Sequence, residues 1–138
     1  MGIKVEIKSD IRKRVNAVSK MYNARQNRWV DATGSYFRNQ IALEMTISPA
    51  TGRTTIKDNG VKHIASSIGN PPRVDTGVLR TSIQYKRTGQ GIGKVSTNID
   101  YSERLEKNLR RPFMGKQSKA YRNTKIFGKM FAKNLGIK

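Results

Sequence analysis

The chain has 138 residues, with 28 Lys or Arg against 9 Asp or Glu, which gives a formal net charge of +19. A chain of this length fits one domain and can bury a stable core without disulfide bonds or metal ions. The absence of cysteine excludes disulfides and thiolate metal sites. No apolar run approaches the ~20 residues that a membrane-spanning helix needs, and the alternating amino terminus is unlike a secretory signal. We therefore predict one domain over residues 1–138, synthesised in the cytoplasm and without membrane contact.

The positive charge is densest toward the carboxyl end, where residues 101–138 carry 11 basic and 2 acidic side chains. Such a surface attracts polyanions and repels copies of itself unless something screens it. We expect it to contact nucleic acid or an acidic protein, in preference to being only a solvated basic surface.

A short strand over residues 3–8 is predicted by the alternation of apolar and charged residues. A long helix from about residue 10 to 46 is predicted next, because an apolar residue recurs every seven positions. This heptad stripe consists of Val15, Tyr22, Trp29, Tyr36 and Leu43, with Ile11, Val18 and Ala32 beside it. The helix would span roughly 55 Å, longer than a small domain needs, so we expect a kink near Gly34 or packing of its far end on another subunit.

The heptad stripe has two interpretations. It is either the core of this domain, which we favour, or an interface shared with a neighbouring copy. Arg25 and Asn39 lie on the adjoining heptad position. Because polar residues there weaken a helix-helix seam, no self-sufficient coiled coil is predicted.

An extended arm is predicted over about residues 48–74. Pro49 ends the helix because it pushes Ser48 away from helical geometry. Asp58-Asn59-Gly60 is turn chemistry between two short β-prone runs, which indicates a hairpin within the arm. In an oligomer such an arm can reach a neighbouring subunit.

A tight turn at Asp75-Thr76-Gly77 follows two prolines that exclude a helix. Alternation then predicts a strand over residues 79–87, and a second strand over 94–100 follows a glycine-rich turn, so the two form an antiparallel hairpin. The core face of the first strand would hold Leu79, Thr81, Ile83 and Tyr85, and its other face Arg80, Ser82, Gln84 and Lys86. The glycine spacing opens no helix, so a nucleotide-binding loop is not predicted.

The last elements are a short helix over residues 102–108 with Leu105 inward, ended by Pro112, and a basic helix over about 117–135. The predicted fold class is α+β: a long N-terminal amphipathic helix packed on a small antiparallel β-sheet, with a C-terminal helix.

No catalytic, metal or cofactor site is predicted. His63 is the only histidine, and a triad of Ser66, His63 and Asp75 lacks any nucleophile elbow. Glu103 and Glu106 would share a helical face, and we expect them to pair with Arg104, Arg110 or a neighbouring subunit instead of forming an acid/base couple.

Two blocks of the sequence resemble a family. The run from His63 to Pro72, followed by Asp75-Thr76-Gly77 and Leu79-Arg80-x-Ser82-Ile83, resembles the tail-completion or neck proteins of tailed bacteriophages, also described as head-tail joining or tail-component proteins. Tyr101-Ser102-x-x-Leu105-Glu106 and Arg111-Pro112-Phe113 are similar to a second part of that family. The resemblance covers roughly residues 51–121. The family usually has a Gly-Thr pair after the glutamate, where this chain has Lys107-Asn108-Leu109.

The resemblance implies a non-enzymatic virion structural protein at the neck, assembled in the host cytoplasm. It would form a ring of copies of itself, a hexamer or dodecamer, that joins the head connector or adaptor to the tail tube or tail terminator and lets DNA pass. The implied structural motif comprises Pro71, Pro72, Asp75, Thr76, Gly77, Leu79, Ser82 and Ile83. The candidate subunit interface comprises Tyr101, Leu105, Glu106, Pro112 and Phe113.

Cationic residues are the candidates to face passing DNA, without reading its sequence, or an acidic partner. They are Arg80, Lys86, Arg87, Arg110, Arg111, Lys116, Lys119, Arg122 and Lys125. The alternative function is a small basic nucleic-acid-binding module, in which Trp29 and the five tyrosines would stack on bases. Against it, Tyr22, Trp29 and Tyr36 lie on the heptad stripe, and no recognition motif is present.

Overall fold

A computed structural model of the chain describes residues 8–115, with side chains from residue 11 onward. The strand predicted over 3–8, apart from Lys8 itself, and the basic helix predicted over about 117–135 lie outside the described residues. The elements in chain order are α1 (Lys8–Ile47), β1 (Thr54–Ile56), β2 (Lys62–Ile64), α2 (Val78–Ser82), β3 (Gln84–Gly89), β4 (Ile92–Ser96) and a π-helical segment (Arg104–Asn108). The described part is therefore α+β, with a long N-terminal helix and two small antiparallel sheets, as predicted.

The helix α1 runs for 40 residues and continues through Gly34. A Cβ atom added at Gly34 would lie 2.1 Å from Cε2 of Tyr85. This glycine therefore allows β3 to approach the helix closely, which is a role that the sequence did not indicate. The helix ends at Ile47, immediately before Ser48-Pro49, as predicted.

The arm contains the predicted hairpin. Strands β1 and β2 pair antiparallel, with Thr55 opposite His63. Gly60 turns the chain with a φ of 80°, and the Val61 amide donates to Oδ1 of Asn59 over 3.1 Å. Residues with this turn chemistry are what the local sequence predicted.

The strand predicted over residues 79–87 is partly wrong, because Val78–Ser82 form the short helix α2. Leu79 and Ile83 are four residues apart and both are buried, which is helical spacing as well as alternation. The amide and hydroxyl groups of Thr81 donate to the carbonyl of Gly77, which stabilises the helical turn. The hairpin itself exists, with Tyr85 opposite Val95, but its strands are Gln84–Gly89 and Ile92–Ser96.

The core lies between the second half of α1, α2 and the chain that follows the π-helical segment. Its buried members are Ile41, Met45, Leu79, Ile83 and Phe113. The partly buried residues Phe37, Val74, Val95, Ile99, Leu105 and Met114 pack against them. The inward position of Leu105 is as predicted.

The heptad stripe is not this core, which corrects the interpretation favoured from the sequence. Val15, Tyr22 and Leu43 are 60%, 53% and 49% exposed, whereas Ile41 is fully buried. At about 100° per residue, Tyr36 lies roughly 140° around the helix from Ile41. The apolar repeat and the buried face are thus two different faces of one helix.

Within the described chain, the two glutamates near the carboxyl end bind partners other than Arg104 and Arg110. The carboxylate of Glu103 accepts a hydrogen bond from Nζ of Lys107 over 2.6 Å. The carboxylate of Glu106 accepts from three consecutive backbone amides, those of Phe113, Met114 and Gly115, over 2.8 to 3.2 Å. Glu106 therefore fixes the segment that carries Phe113 into the core.

Candidate functional site: an arginine-lined cavity

A cavity of about 240 Å³ lies between the end of α1, the motif turn and the π-helical segment. It brings together residues from all three sets that the sequence singled out. From the motif come Pro72, Asp75, Thr76, Gly77 and Leu79, from the cationic set Arg80 and Arg111, and from the candidate interface Tyr101 and Leu105. Met45, His63, Ala65, Arg73 and Val74 complete the lining.

The double proline anchors one wall of the cavity. Pro71 and Pro72 are both buried, and the carbonyl of Pro71 accepts a hydrogen bond of 2.5 Å from Oγ of Ser48, itself 5% exposed. This bond ties the start of the motif to the end of α1. Gly77, immediately before α2, then adopts a φ of 84°, a conformation that other residues adopt only with strain.

The only carboxylate among the lining residues is already neutralised by a partner. Lys57 on the arm donates to Oδ1 of Asp75, and this hydrogen bond holds the pKa of Asp75 below its ordinary value. Nδ1 of His63 lies 3.5 Å from the same oxygen. Asp75 therefore serves the structure by fastening the arm hairpin to the motif turn.

Three arginines line the cavity, and two of them are held by bonds to the chain. Nη1 of Arg80 donates to Oγ1 of Thr46 over 3.1 Å, and Nη1 of Arg73 donates to the carbonyl of Ile64 over 3.4 Å. Each guanidinium has further donors beyond the one used here. The cavity wall is therefore both cationic and rich in hydrogen-bond donors.

The third arginine, Arg111, is positioned by an unusual backbone turn. Arg110 has a φ of 49°, the one positive value at a non-glycine residue in the described chain. Two bonds hold this turn: the Gly69 amide donates to the Arg110 carbonyl over 2.8 Å, and the Arg111 amide donates to the Leu105 carbonyl over 3.0 Å. Nε of Arg111 is buried and has no hydrogen-bond partner within residues 8–115.

Several residues of the motif and of the candidate interface pack inside the chain and do not line the cavity. Oγ of Ser82 donates to the Leu79 carbonyl and lies 2.6 Å from Oγ1 of Thr97. Ile83 and Phe113 belong to the core. In the candidate interface, Phe113 is thus buried within its own chain, whereas Tyr101 is 48% exposed; Pro112 is partly buried.

The remaining cationic candidates lie away from the cavity lining. Arg87 forms an ion pair of 3.4 Å with Asp31 of α1. Lys86 stands opposite Lys94 across the hairpin, and both are exposed. Arg110 is exposed, and Lys116, Lys119, Arg122 and Lys125 lie outside the described residues.

The candidate triad of Ser66, His63 and Asp75 does not form in the structure. Oγ of Ser66 is fully buried and has no hydrogen-bond partner in the described chain, so it does not contact His63. No group of three His, Asp or Glu side chains that could hold a metal ion occurs between residues 11 and 115. No helix in the described part is both long enough and apolar enough to cross a membrane.

Two features of the cavity were not foreseen from the sequence. The contribution of Met45 and Thr46 to a site built around residues 72–80 depends on tertiary packing, which periodicity does not report. Arg73 follows the buried pair Pro71-Pro72 directly, and this adjacency is the local feature that places it in the cavity wall. Comparison with known proteins finds no matching family model, no similar curated protein and no similar solved structure.

Proposed function

We propose that this chain is a virion structural protein of the tail-completion or neck type. Copies of it form a closed ring at the head-tail junction, which joins the head connector to the tail and lets DNA pass. The sequence resemblance motivates the proposal, and a ring is the usual outcome of head-to-tail contacts that close.

The observation that carries the proposal is the exposure of the heptad stripe on the first half of α1. Ile11, Val15, Val18 and Tyr22 are each between 53% and 60% exposed and recur on one helical face. Contiguous exposed apolar surface of this kind is typical of protein contact sites. An assembly protein is expected to leave such a face for a neighbouring subunit, whereas an independent monomer has no use for it.

The same observation weighs against the small nucleic-acid-binding module. Phosphate contacts come from cationic and polar groups, so they give no role to an apolar face. Trp29 and Tyr36 are only partly exposed and each has contacts within the chain, which leaves little free ring surface for stacking on bases.

The test is the molar mass of the full chain by light scattering after gel filtration in moderate salt. We expect a ring for the native sequence and monomers for a Val15→Ser, Tyr22→Ser double variant. A matched control, Asn16→Ser on another face of α1, should retain the ring. Far-ultraviolet circular dichroism should be alike for all three proteins.

A duplex DNA arm separates the two functions. A stable monomer that takes up DNA one-to-one, with binding that falls steeply as salt rises, would overturn the ring proposal in favour of the binding module. A double variant that assembles like the native chain would also overturn the role given to the heptad stripe.

A further inference from the structure

We infer that the arginine-lined cavity is a receptor for a carboxylate side chain carried by a partner protein, with Arg111 as its anchor. The inference deepens the proposed function, on which its choice of a protein partner partly rests, because it names the chemistry that the partner must present.

The first step is the position of Arg111, which lines the cavity while its Nε atom is shielded from solvent within the chain. A buried guanidinium Nε without an acceptor is destabilising, because it has lost its hydrogen bond to water and gained none within the protein. Arg111 is nevertheless held in that position, by the left-handed conformation of Arg110 and by two backbone hydrogen bonds. Strained backbone of this kind often occurs where a side chain is preorganised for binding.

The second step is the charge of the lining. Arg73, Arg80 and Arg111 contribute three guanidinium groups, while the carboxylate of Asp75 is paired with Lys57. The net field therefore favours an anion. Guanidinium forks match the geometry of a carboxylate or a phosphate, and both bind through paired hydrogen bonds.

The third step distinguishes a protein carboxylate from a nucleic-acid phosphate. Part of the remaining wall is apolar, since Met45, Pro72, Leu79 and Leu105 line it. A glutamate side chain carries methylene groups that such a wall can cover, whereas a backbone phosphate is flanked by sugars and stays at the surface. The cavity of about 240 Å³ is below the roughly 300–1,000 Å³ typical of small-molecule sites, and suits one side chain.

The last step concerns the source of the carboxylate. Among the described residues, Glu103 is paired with Lys107, and Glu106 binds three backbone amides. Asp58 lies on the arm, whose residues 53–62 carry three basic side chains and that one acidic side chain. Because a second copy carries the same net charge of +19, a different, acidic protein fits the cavity better than a second copy does.

The experiment is a titration of the full chain with a capped hexaglutamate peptide, followed by NMR at the arginine Nε–Hε signals. We expect the Arg111 signal to shift most. We expect Arg111→Ala to weaken peptide binding at least tenfold, and Arg28→Ala, which removes the same charge from an exposed site on α1, to weaken it less than threefold. Arg80→Ala should give an intermediate loss and serves if Arg111→Ala fails to fold.

A twelve-base-pair duplex is the second arm. If the duplex shifts the Arg111 signal more than the peptide does, the cavity is a phosphate site and the inference is wrong. The inference would also be wrong if Arg28→Ala weakened peptide binding as much as Arg111→Ala does, or as much as Arg80→Ala where that variant is used instead. The binding would then be a general attraction of the peptide to a basic chain. The titration measures peptide binding whether the protein is a monomer or a ring. Its result can therefore be distinguished from that of the light-scattering experiment.

Discussion

Residues 11–22 and residues 30–45 belong to one continuous helix, but only the second stretch packs against the rest of the described chain. Every residue of the first stretch is exposed, whereas Val30, Ile41 and Met45 in the second stretch are buried. Both stretches carry the apolar heptad stripe. The two stretches therefore differ in burial because α2 and the β3–β4 hairpin pack on one face of the second stretch, and not because they differ in the number of apolar residues.

The difference between the two stretches is tested most directly by truncating one side chain in each. Ile41→Ala should lower the free energy of unfolding by about 2–5 kcal/mol, because it leaves a cavity in a fully buried site. Val15→Ala should change it by less than about 0.5 kcal/mol, since this side chain is 60% exposed. Urea denaturation of dilute protein, followed by circular dichroism, measures both. Similar losses for the two variants would mean that the first stretch is buried in solution.

The second prediction concerns the point at which β3 meets the helix. Gly34→Ala would stabilise an exposed helix by about 0.5–1 kcal/mol, but here the new Cβ atom would clash with the Tyr85 ring. We expect the free energy of unfolding to fall by about 1–3 kcal/mol, as for other overpacked sites. In a Tyr85→Ala background, Gly34→Ala should become neutral or stabilising. A stabilising effect in the native background would show that the close approach is absent.

These two sites also show what the sequence could and could not predict. The long helix, its end at Ser48-Pro49, the arm hairpin and the turn at Asp75-Thr76-Gly77 follow from local chemistry, and they were predicted. The orientation of α1 was not, because the heptad stripe is the stronger periodic signal while the buried face includes Gly34, which periodicity does not count as apolar. The helix at Val78–Ser82 was missed because Leu79 and Ile83 suit both helical and alternating patterns.

The cavity, too, could be predicted from the sequence only in part. The residues of the motif turn and the second block were singled out from the sequence, but their convergence with Met45 depends on packing between segments that are distant in the sequence. The left-handed conformation of Arg110 lies close to the place where the resemblance leads one to expect a Gly-Thr pair. Nothing in the local sequence indicates that an arginine adopts it.

The third prediction tests the contact that joins the packed stretch to the hairpin. The hydroxyl of Tyr85 donates to Oδ1 of Asp31 over 2.8 Å, and burial together with this bond raises the pKa of Tyr85 to about 12. Because the folded state holds this proton more tightly than the unfolded chain does, its contribution to stability is present below pH 10. It should be lost as the pH rises from about 10 to about 12.

Tyr85→Phe isolates that contribution. The variant should be less stable by about 0.5–1.5 kcal/mol at neutral pH, the usual net value of one hydrogen bond. Its disadvantage relative to the native chain should shrink between pH 10 and 12, because only the native chain has this proton to lose. Parallel urea titrations at pH 7, 10 and 11.5 measure the difference. A constant difference across these values would contradict the proposed linkage.

The smallest effect is expected at the boundary between the two stretches. The side chain of Gln90, in the turn of the β3–β4 hairpin, donates to the Asn23 carbonyl over 2.9 Å and accepts from Nδ2 of Asn27 over 3.0 Å. The Gly91 amide donates to Oδ1 of Asn27. These bonds are the first that hold α1 to the hairpin, so they should set the position at which amide protection begins.

Amide hydrogen exchange locates that boundary residue by residue. In dilute monomer we expect residues 11–22 to exchange faster than residues 30–45, because local opening of an unpacked helical stretch disrupts few contacts. Gln90→Ala should extend fast exchange to about residue 27 while leaving global stability almost unchanged, and Gln84→Ala at the other end of β3 should not. Protection of residues 11–22 that appears only at concentrations where copies assemble would show that a neighbouring subunit supplies the packing that the chain alone does not.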